Sequence, residues 1–282
     1  MAPAARSRYV LCMINDTLFD QTADLMREIA ETLILPRFRS LNDADITEKS
    51  GPGDLVTIAD QEAELALTPR LMDLLPGSVV VGEEAVSADG SVLERLSEDA
   101  PVWLVDPVDG TANFVRGESN FAVMVALVVK GETRGAWIFA PVENRMAMAA
   151  PGAGAFLEGR RLQTNRSVKF QDAYGDYSSK YMAEPYRSLL NDCLRTVRGA
   201  RQGHCSAYAY LDTARGELDF VLQYMMNPWD HAAGELLVSE AGGASRFLDD
   251  ATVYRPIVQP HRPMLTIGDA AQWTTFAERL KP

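Results

Sequence analysis

The 282-residue sequence is poor in cysteine and histidine, with three of each and no Cys-x-x-Cys pair. Cys12, Cys193 and Cys205 are scattered and odd in number. That pattern argues against a disulfide framework and against a structural zinc site, and it predicts a reducing, cytoplasmic setting. Basic residues are also scarce: 27 Lys and Arg stand against 39 Asp and Glu, for a net charge of -12. A surplus of cations is what binds a phosphate backbone, so nucleic acid is not expected as the main partner. No apolar run is long enough to span a membrane. The stretch Tyr9 to Ile14, behind Arg6 and Arg8, is short and is broken by Asn15 and Asp16, so no signal peptide is predicted. Repeats, low-complexity tracts and Gly/Ser linkers are missing as well, which favours a single folded unit.

What is present reads as alternating helices and strands. Leu25, Ile29, Leu33 and Ile34 share one face of a helix predicted over about Leu18–Phe38. A loop through Lys49-Ser-Gly-Pro-Gly-Asp54 follows. Thr57-Ile-Ala-Asp60 then suggests a capping box for a helix running through Leu71. Strands are expected at Val79–Val81, Val102–Val105, Phe121–Val129, Gly135–Phe139 and Arg145–Ala149, with a loop beginning the polar stretch Asp89–Asp99. Turn residues recur over Gly152–Gly159. The second half reads as a helix at Tyr208–Ala214, a strand at Leu218–Leu222 and a helix opened by Asn227-Pro228 and closed by Gly242-Gly243. A strand at Met264–Ile267 and a helix at Ala271–Leu280 end the chain. This order implies layered α/β or α+β architecture.

Acidic residues cluster at the ends of these elements. Trp103-Leu-Val-Asp106-Pro-Val-Asp109-Gly-Thr111-Ala-Asn113-Phe114 runs an apolar strand into two aspartates three residues apart. Pro107 restricts the backbone between them, and Gly110 permits a tight turn. A helical turn starting at Gly110-Thr111 would present free N–H groups suited to a phosphate. Carboxylates so placed suit a hard cation such as Mg²⁺, shared between protein and substrate phosphate. The same residues also make an ordinary surface turn. Glu83 and Glu84 follow another apolar strand, Asp60 lies in a first helical turn, and Asp230 sits at a helix start. Each of these is individually compatible with a cap or a solvated charge. A bound cation would also explain how an acidic protein receives an anionic ester.

Three blocks give the chain a resemblance to the inositol monophosphatase family. The first is Asp54-Leu-Val-Thr57-Ile-Ala-Asp60 with Gly82-Glu83-Glu84. The second is the Trp103–Phe114 stretch, and the third is Trp229-Asp230-His-Ala-Ala-Gly234 with Glu240-Ala-Gly-Gly243. They span about residues 45 to 245. The resemblance implies an α+β fold, a layered αβαβα sandwich of the inositol monophosphatase and fructose-1,6-bisphosphatase type. It implies one phosphatase domain over 1–282, with halves 1–155 carrying the main metal site and 156–282 selecting substrate and supplying Asp230. It implies two or three Mg²⁺ ions, lithium sensitivity, a homodimer, and a small phosphate ester as substrate. Glu83, Asp106 and the Val108 carbonyl would hold one ion. Asp106, Asp109 and Asp230 would hold a second, and a third would lie near Glu83. Gly110 and Thr111 would contact the phosphate through backbone N–H groups. Thr111 with Asp60, or with Glu83, would orient and deprotonate the attacking water. Lys49 and Glu84 would support the site.

Departures from the family fall where substrates are selected. Its Gly-Thr/Ser-Ala-Ala element is matched here by His204-Cys205-Ser206-Ala207-Tyr208. A glutamate that contacts inositol hydroxyls is matched by Gln223. Ser206 and Gln223 are therefore the expected substrate contacts, with inositol monophosphate the first substrate and histidinol phosphate the leading alternative. Nucleotidase-type relatives carry Glu at the position of Asn113, which places this chain nearer the inositol branch. Some bacterial members of the family act on the RNA and transcription machinery instead, and a regulatory role is the alternative of a different class. No Arg/Lys stripe supports it.

Overall fold

The first periodic segment forms α1 (Asp16–Ile29), capped where the Leu18 N–H donates to Asn15 Oδ1. The helix expected to continue to Phe38 loosens into a π turn over Ala30–Ile34 and a 3-10 turn over Leu35–Arg37. Pro36 is the reason, since it offers no N–H to the helical ladder. This computed structural model describes residues 14–49, 55–164, 167–178, 182, 184 and 186–280. Cys12, the basic N-terminus, and the loop from Ser50 through Asp54 lie outside those residues.

A short antiparallel pair, β1 (Ile46–Glu48) and β2 (Leu55–Thr57), leads into α2 (Ile58–Leu74). The expected Thr57–Asp60 capping box starts that helix. After β3 (Val79–Gly82) comes α3 (Glu83–Ala88). The stretch read as a loop from Asp89 is instead a 3-10 helix over Gly90–Ser97. Val92, Leu93 and Leu96 pin it to the core. The chain continues through β4 (Val102–Asp109), α4 (Thr111–Val115), β5 (Ala122–Val129), β6 (Glu132–Ala140), β7 (Arg145–Ala150), β8 (Gly154–Leu157) and β9 (Arg160–Arg161). Strands β3 to β9 lie side by side in chain order as a seven-stranded sheet. Its pairings are antiparallel except for β3 with β4.

The second half builds β10 (Tyr174–Tyr177), α5 (Tyr186–Leu194), β11 (Gly199–Arg201), α6 (Ser206–Ala214), β12 (Phe220–Gln223), α7 (Pro228–Ala241), β13 (Ala244–Phe247), β14 (Met264–Ile267) and α8 (Trp273–Leu280). Its five-stranded sheet has the order β11-β10-β12-β14-β13.

Strand alternation produces the layers. Along β4, Trp103 and Val105 pack with α1 and α2, while Val102 and Leu104 pack with α6 and α7. Phe220, Leu222, Leu265 and Ile267 of the smaller sheet pack with α5 and α8. The result is helix, sheet, helix, sheet, helix, as expected for the αβαβα sandwich. Both faces of β4 and β5 are buried along their whole length. Such strands read as unbroken apolar runs, so the first acids in β4 stand out at its end.

Candidate active site

Register brings the acids together. β3 and β4 run parallel with Gly82 opposite Val105. The next residues, Glu83 and Asp106, therefore emerge side by side at the carboxyl ends of the two strands. α7 contributes Asp230 in its first turn, just after Pro228. One carboxylate oxygen each from Glu83, Asp106 and Asp230 lies within 4.8 Å of the others. Asp106 is 2% exposed, so the repulsion is poorly screened. Burial, then Glu83, Asp109 and Asp230, push the Asp106 carboxyl well above its ordinary pKa. Burial, then Glu83 and Asp109, do the same to Asp230.

Lys49 is the nearby cation. Its Nζ donates to Glu83 Oε1 at 2.7 Å and to Glu84 Oε1 at 2.6 Å. Burial opposes its charge, yet Glu83 and Glu84 together raise its pKa. Burial likewise carries Glu84 up to about 7 despite the Lys49 bond. One lysine does not neutralise three converging carboxylates. An all-oxygen donor set with excess negative charge suits a hard divalent cation, so the residues present fit the expected metal.

The support beneath Glu83 was not visible in the motifs. Glu64 Oε2 and Oε1 accept from the N–H groups of Glu84 and Ala85, each at 2.8 Å, and so cap α3 from a neighbouring helix. Gly82 makes this possible, because a Cβ there would lie 2.2 Å from Glu64 Cδ. The available signal was spacing: Glu64 is four residues after Asp60, on the same face of α2.

Asp60 and Thr111 meet as expected. Asp60 Oδ2 accepts from the Thr57 N–H at 2.9 Å and the Thr57 hydroxyl at 2.5 Å. Thr111 Oγ1 lies 3.1 Å from Asp60 Oδ1 and 3.0 Å from the Val108 carbonyl, with one proton to share between them. Burial is the largest influence on Asp60 and raises its pKa to about 6. The strand register slips between Asp106 and Asp109. Across that bulge the Val108 N–H donates to Asp106 Oδ1 at 3.1 Å. Gly110 then takes φ +89, the left-handed turn into α4.

Asp109 lines the cleft over these acids and also bonds to the start of α6. Its Oδ2 accepts from the Cys205 thiol at 2.9 Å and the Ala207 N–H at 2.5 Å. Its Oδ1 accepts from the Ser206 N–H at 3.2 Å. The carboxylate thus caps α6, and the group of three comprises Glu83, Asp106 and Asp230. Burial raises Asp109 to about 6 in spite of these bonds. Gln223 and Ser206 are joined, Nε2 to Oγ, at 3.0 Å.

A cleft of about 850 Å³ opens over this cluster, with Lys49, Glu83, Asp109, Asp230, Ser206 and Gln223 in its lining. His231 also borders the cleft, but its ring nitrogens are engaged within the fold, close to Tyr210 Oη at 2.9 Å and the Met225 carbonyl at 2.5 Å. Burial lowers its pKa to about 4, so it is neutral at pH 7 and holds the start of α7.

An acidic cluster at the carboxyl ends of two strands thus faces an open cleft, with a donor set suited to a divalent cation. A profile of the inositol monophosphatase family matches residues 15–262. The inositol-1-monophosphatase of Bacillus subtilis is 31% identical over 235 residues, covering 82% of this chain and 86% of that protein. The Nus factor SuhB of Escherichia coli is 30% identical over 221 residues, covering 76% and 79% respectively. A solved structure described as an IMPase/NADP phosphatase complexed with Mg²⁺ and phosphate superposes with a TM-score of 0.78 at 20% identity. It covers 94% of each chain, a likeness of fold. The chain belongs to the inositol monophosphatase family. Among the described residues no helix is long and apolar enough to cross a membrane.

Proposed function

We propose that this phosphatase uses Mg²⁺ to hydrolyse a small polyol phosphate, with inositol monophosphate as the first substrate. The convergence of Glu83, Asp106 and Asp230 within 4.8 Å carries the reading. These residues, with the Val108 carbonyl and Asp109, would hold two ions, and a third would lie near Glu83. Bound cations supply positive charge at the phosphoryl oxygens and acidify the attacking water.

The chain's own groups do the rest. Thr111, shared between Asp60 and the Val108 carbonyl, orients the water, and Asp60 takes its proton. With a pKa near 6, Asp60 is ionised and able to accept at pH 7.5. The Gly110 and Thr111 N–H groups, at the unpaired start of α4, hold the phosphate. Ser206 and Gln223 face the alcohol portion. Lys49 and Glu84 keep Glu83 in place. The two halves, divided near residue 155, close over the substrate from either side. A cytoplasmic homodimer belongs to the same reading, and gel filtration with light scattering tests the dimer.

A phosphate-release panel tests the assignment, using inositol, histidinol, fructose bisphosphate and adenosine bisphosphate substrates with and without Mg²⁺. Mg²⁺-dependent release, greatest with inositol monophosphate and suppressed by Li⁺, is expected. Greater turnover of histidinol phosphate would transfer the assignment to that ester. No Mg²⁺-dependent release from any of them would remove it.

Relatives named as Nus factors favour a second reading, in which the chain also binds the RNA and transcription machinery. The net charge of -12 weighs against direct RNA contact. Recovery of polymerase or ribosomal RNA with a chain lacking Mg²⁺-dependent phosphatase activity would put this reading first.

A further inference from the structure

The turn between β11 and α6 forms one wall of the cleft through Gln202, His204, Cys205 and Ser206. Its backbone is strained: His204 has φ +53, in the left-handed region that a residue with a Cβ occupies at a cost. Such a turn needs restraint from its surroundings. Gly203, next to the strained residue, is gripped on both sides. Its N–H donates to Asp176 Oδ1 at 3.3 Å, and its carbonyl accepts from Asn113 Nδ2 at 3.0 Å. Asp176 is itself fixed by Arg201 Nε at 2.9 Å.

Asn113 comes from α4, in the other half of the molecule. Its Nδ2 also donates to the Asn120 carbonyl at 2.7 Å, while its Oδ1 accepts from the Arg116 guanidinium. One face of the amide meets a cation and the other meets two carbonyls, so only one orientation satisfies all three partners. The side chain is 1% exposed and lies outside the cleft lining.

We infer that Asn113 is a positioning residue that sets substrate preference by holding the 202–206 turn against α4, without touching substrate. This rests on the phosphatase reading above. A carboxylate at position 113 would have no proton for either carbonyl and would repel both, so the turn would have to move. Glu83, Asp106 and Asp230 are carried by β3, α3, β4 and α7 and are not bonded to Asn113 or Gly203; Asp109 bonds only to the α6 end of the turn, at Cys205 and Ser206. A moved turn should therefore alter recognition of the alcohol group more than general phosphate hydrolysis.

The test is Asn113→Asp, with two readouts. The first is kcat/KM for inositol monophosphate against p-nitrophenyl phosphate, whose alcohol part is a flat aryl ring. The ratio should fall about tenfold, carried mainly by a higher KM for the polyol ester, as for one displaced hydrogen bond. The second is hydrogen exchange at the amides of residues 203–207, which should quicken. If Asn113→Asp does not fold, Gly203→Ala disturbs the same turn from the opposite side, because its Cβ would lie 2.5 Å from Asp176 Oδ2. Proportional loss with both esters, or unchanged exchange at 203–207, overturns the inference. A wild-type chain that hydrolyses neither ester overturns the phosphatase reading instead, and the exchange measurement still decides the role of Asn113 in the turn.

Discussion

Replacing Asp106 with Asn separates two effects of opposite sign. Without metal, Asp106 is a buried carboxylate with two others inside 4.8 Å. At an effective dielectric of about 20, one such pair repels by about 3 kcal/mol. Partial protonation of the raised carboxyls limits the repulsion realised, so about 3 kcal/mol is a ceiling for the relief. Asn keeps the Oδ1 acceptor that the Val108 N–H uses at 3.1 Å. A chain of this length unfolds with roughly 0.6 kcal/mol/K of entropy, so the metal-free variant should melt up to about 5 °C higher than wild type. With Mg²⁺ the order reverses. Wild type gains binding energy that the variant largely forfeits, and turnover of the variant should fall by at least about a hundredfold, or about 2.7 kcal/mol. Scanning calorimetry in EDTA and in saturating Mg²⁺, with phosphate release under the same conditions, reads both effects. A variant that melts lower than wild type in EDTA, or that keeps wild-type turnover at saturating Mg²⁺, would refute the placement of Asp106 in a charge-strained metal cage.

Asp60 and Asp109, both raised to about 6, and Glu84, raised to about 7, hold protons in the folded state that the unfolded chain has released. Metal-free stability should consequently fall as pH rises from about 4 to 7, with Asp60 alone worth up to about 3 kcal/mol. Mg²⁺ should stabilise more at pH 7.5 than at pH 5, and melting curves at both values check this. Gly82→Ala forces Glu64 from its cap and should cost about 1–3 kcal/mol in a urea titration, together with a loss of turnover as Glu83 shifts. Thr111→Ala should lower kcat about a hundredfold with little change in KM, and Thr111→Ser should restore most of it; steady-state kinetics distinguish them. His204→Gly relieves the left-handed strain and should stabilise by about 1 kcal/mol, or about 2 °C in a thermal melt.

The elements readable from sequence were those whose pattern is local. A periodic apolar face marked α1, Thr57 and Asp60 marked α2, and unbroken apolar runs marked β4 and β5. Strands β3 to β7 followed from such runs and their turns, whereas β8 lies in a stretch read as turn residues, Gly152–Gly159. Between residues 160 and 205 the strands were unread because they are short: β9 has two residues and β11 three. β11 is held by side chains outside its own element, as Arg201 is by Asp176 and Asp212. At the site, the acids with fixed spacing were legible, since Asp106, Asp109 and Thr111 occupy one turn. The capping of α3 by Glu64, the bonds from the start of α6 to Asp109 and the double grip on Gly203 were not. Each depends on how separate elements approach in space, which no spacing within one element reveals.

Whether distant carboxylates form one cation cage is most directly measured by anomalous diffraction from a crystal soaked in Mn²⁺, a stand-in for Mg²⁺ with a usable signal. The account predicts anomalous density bounded by the carboxylates of Glu83, Asp106 and Asp230, lost in Asp106→Asn. A Mn²⁺-saturated crystal with density only at other surfaces, and none among these three residues, would contradict it.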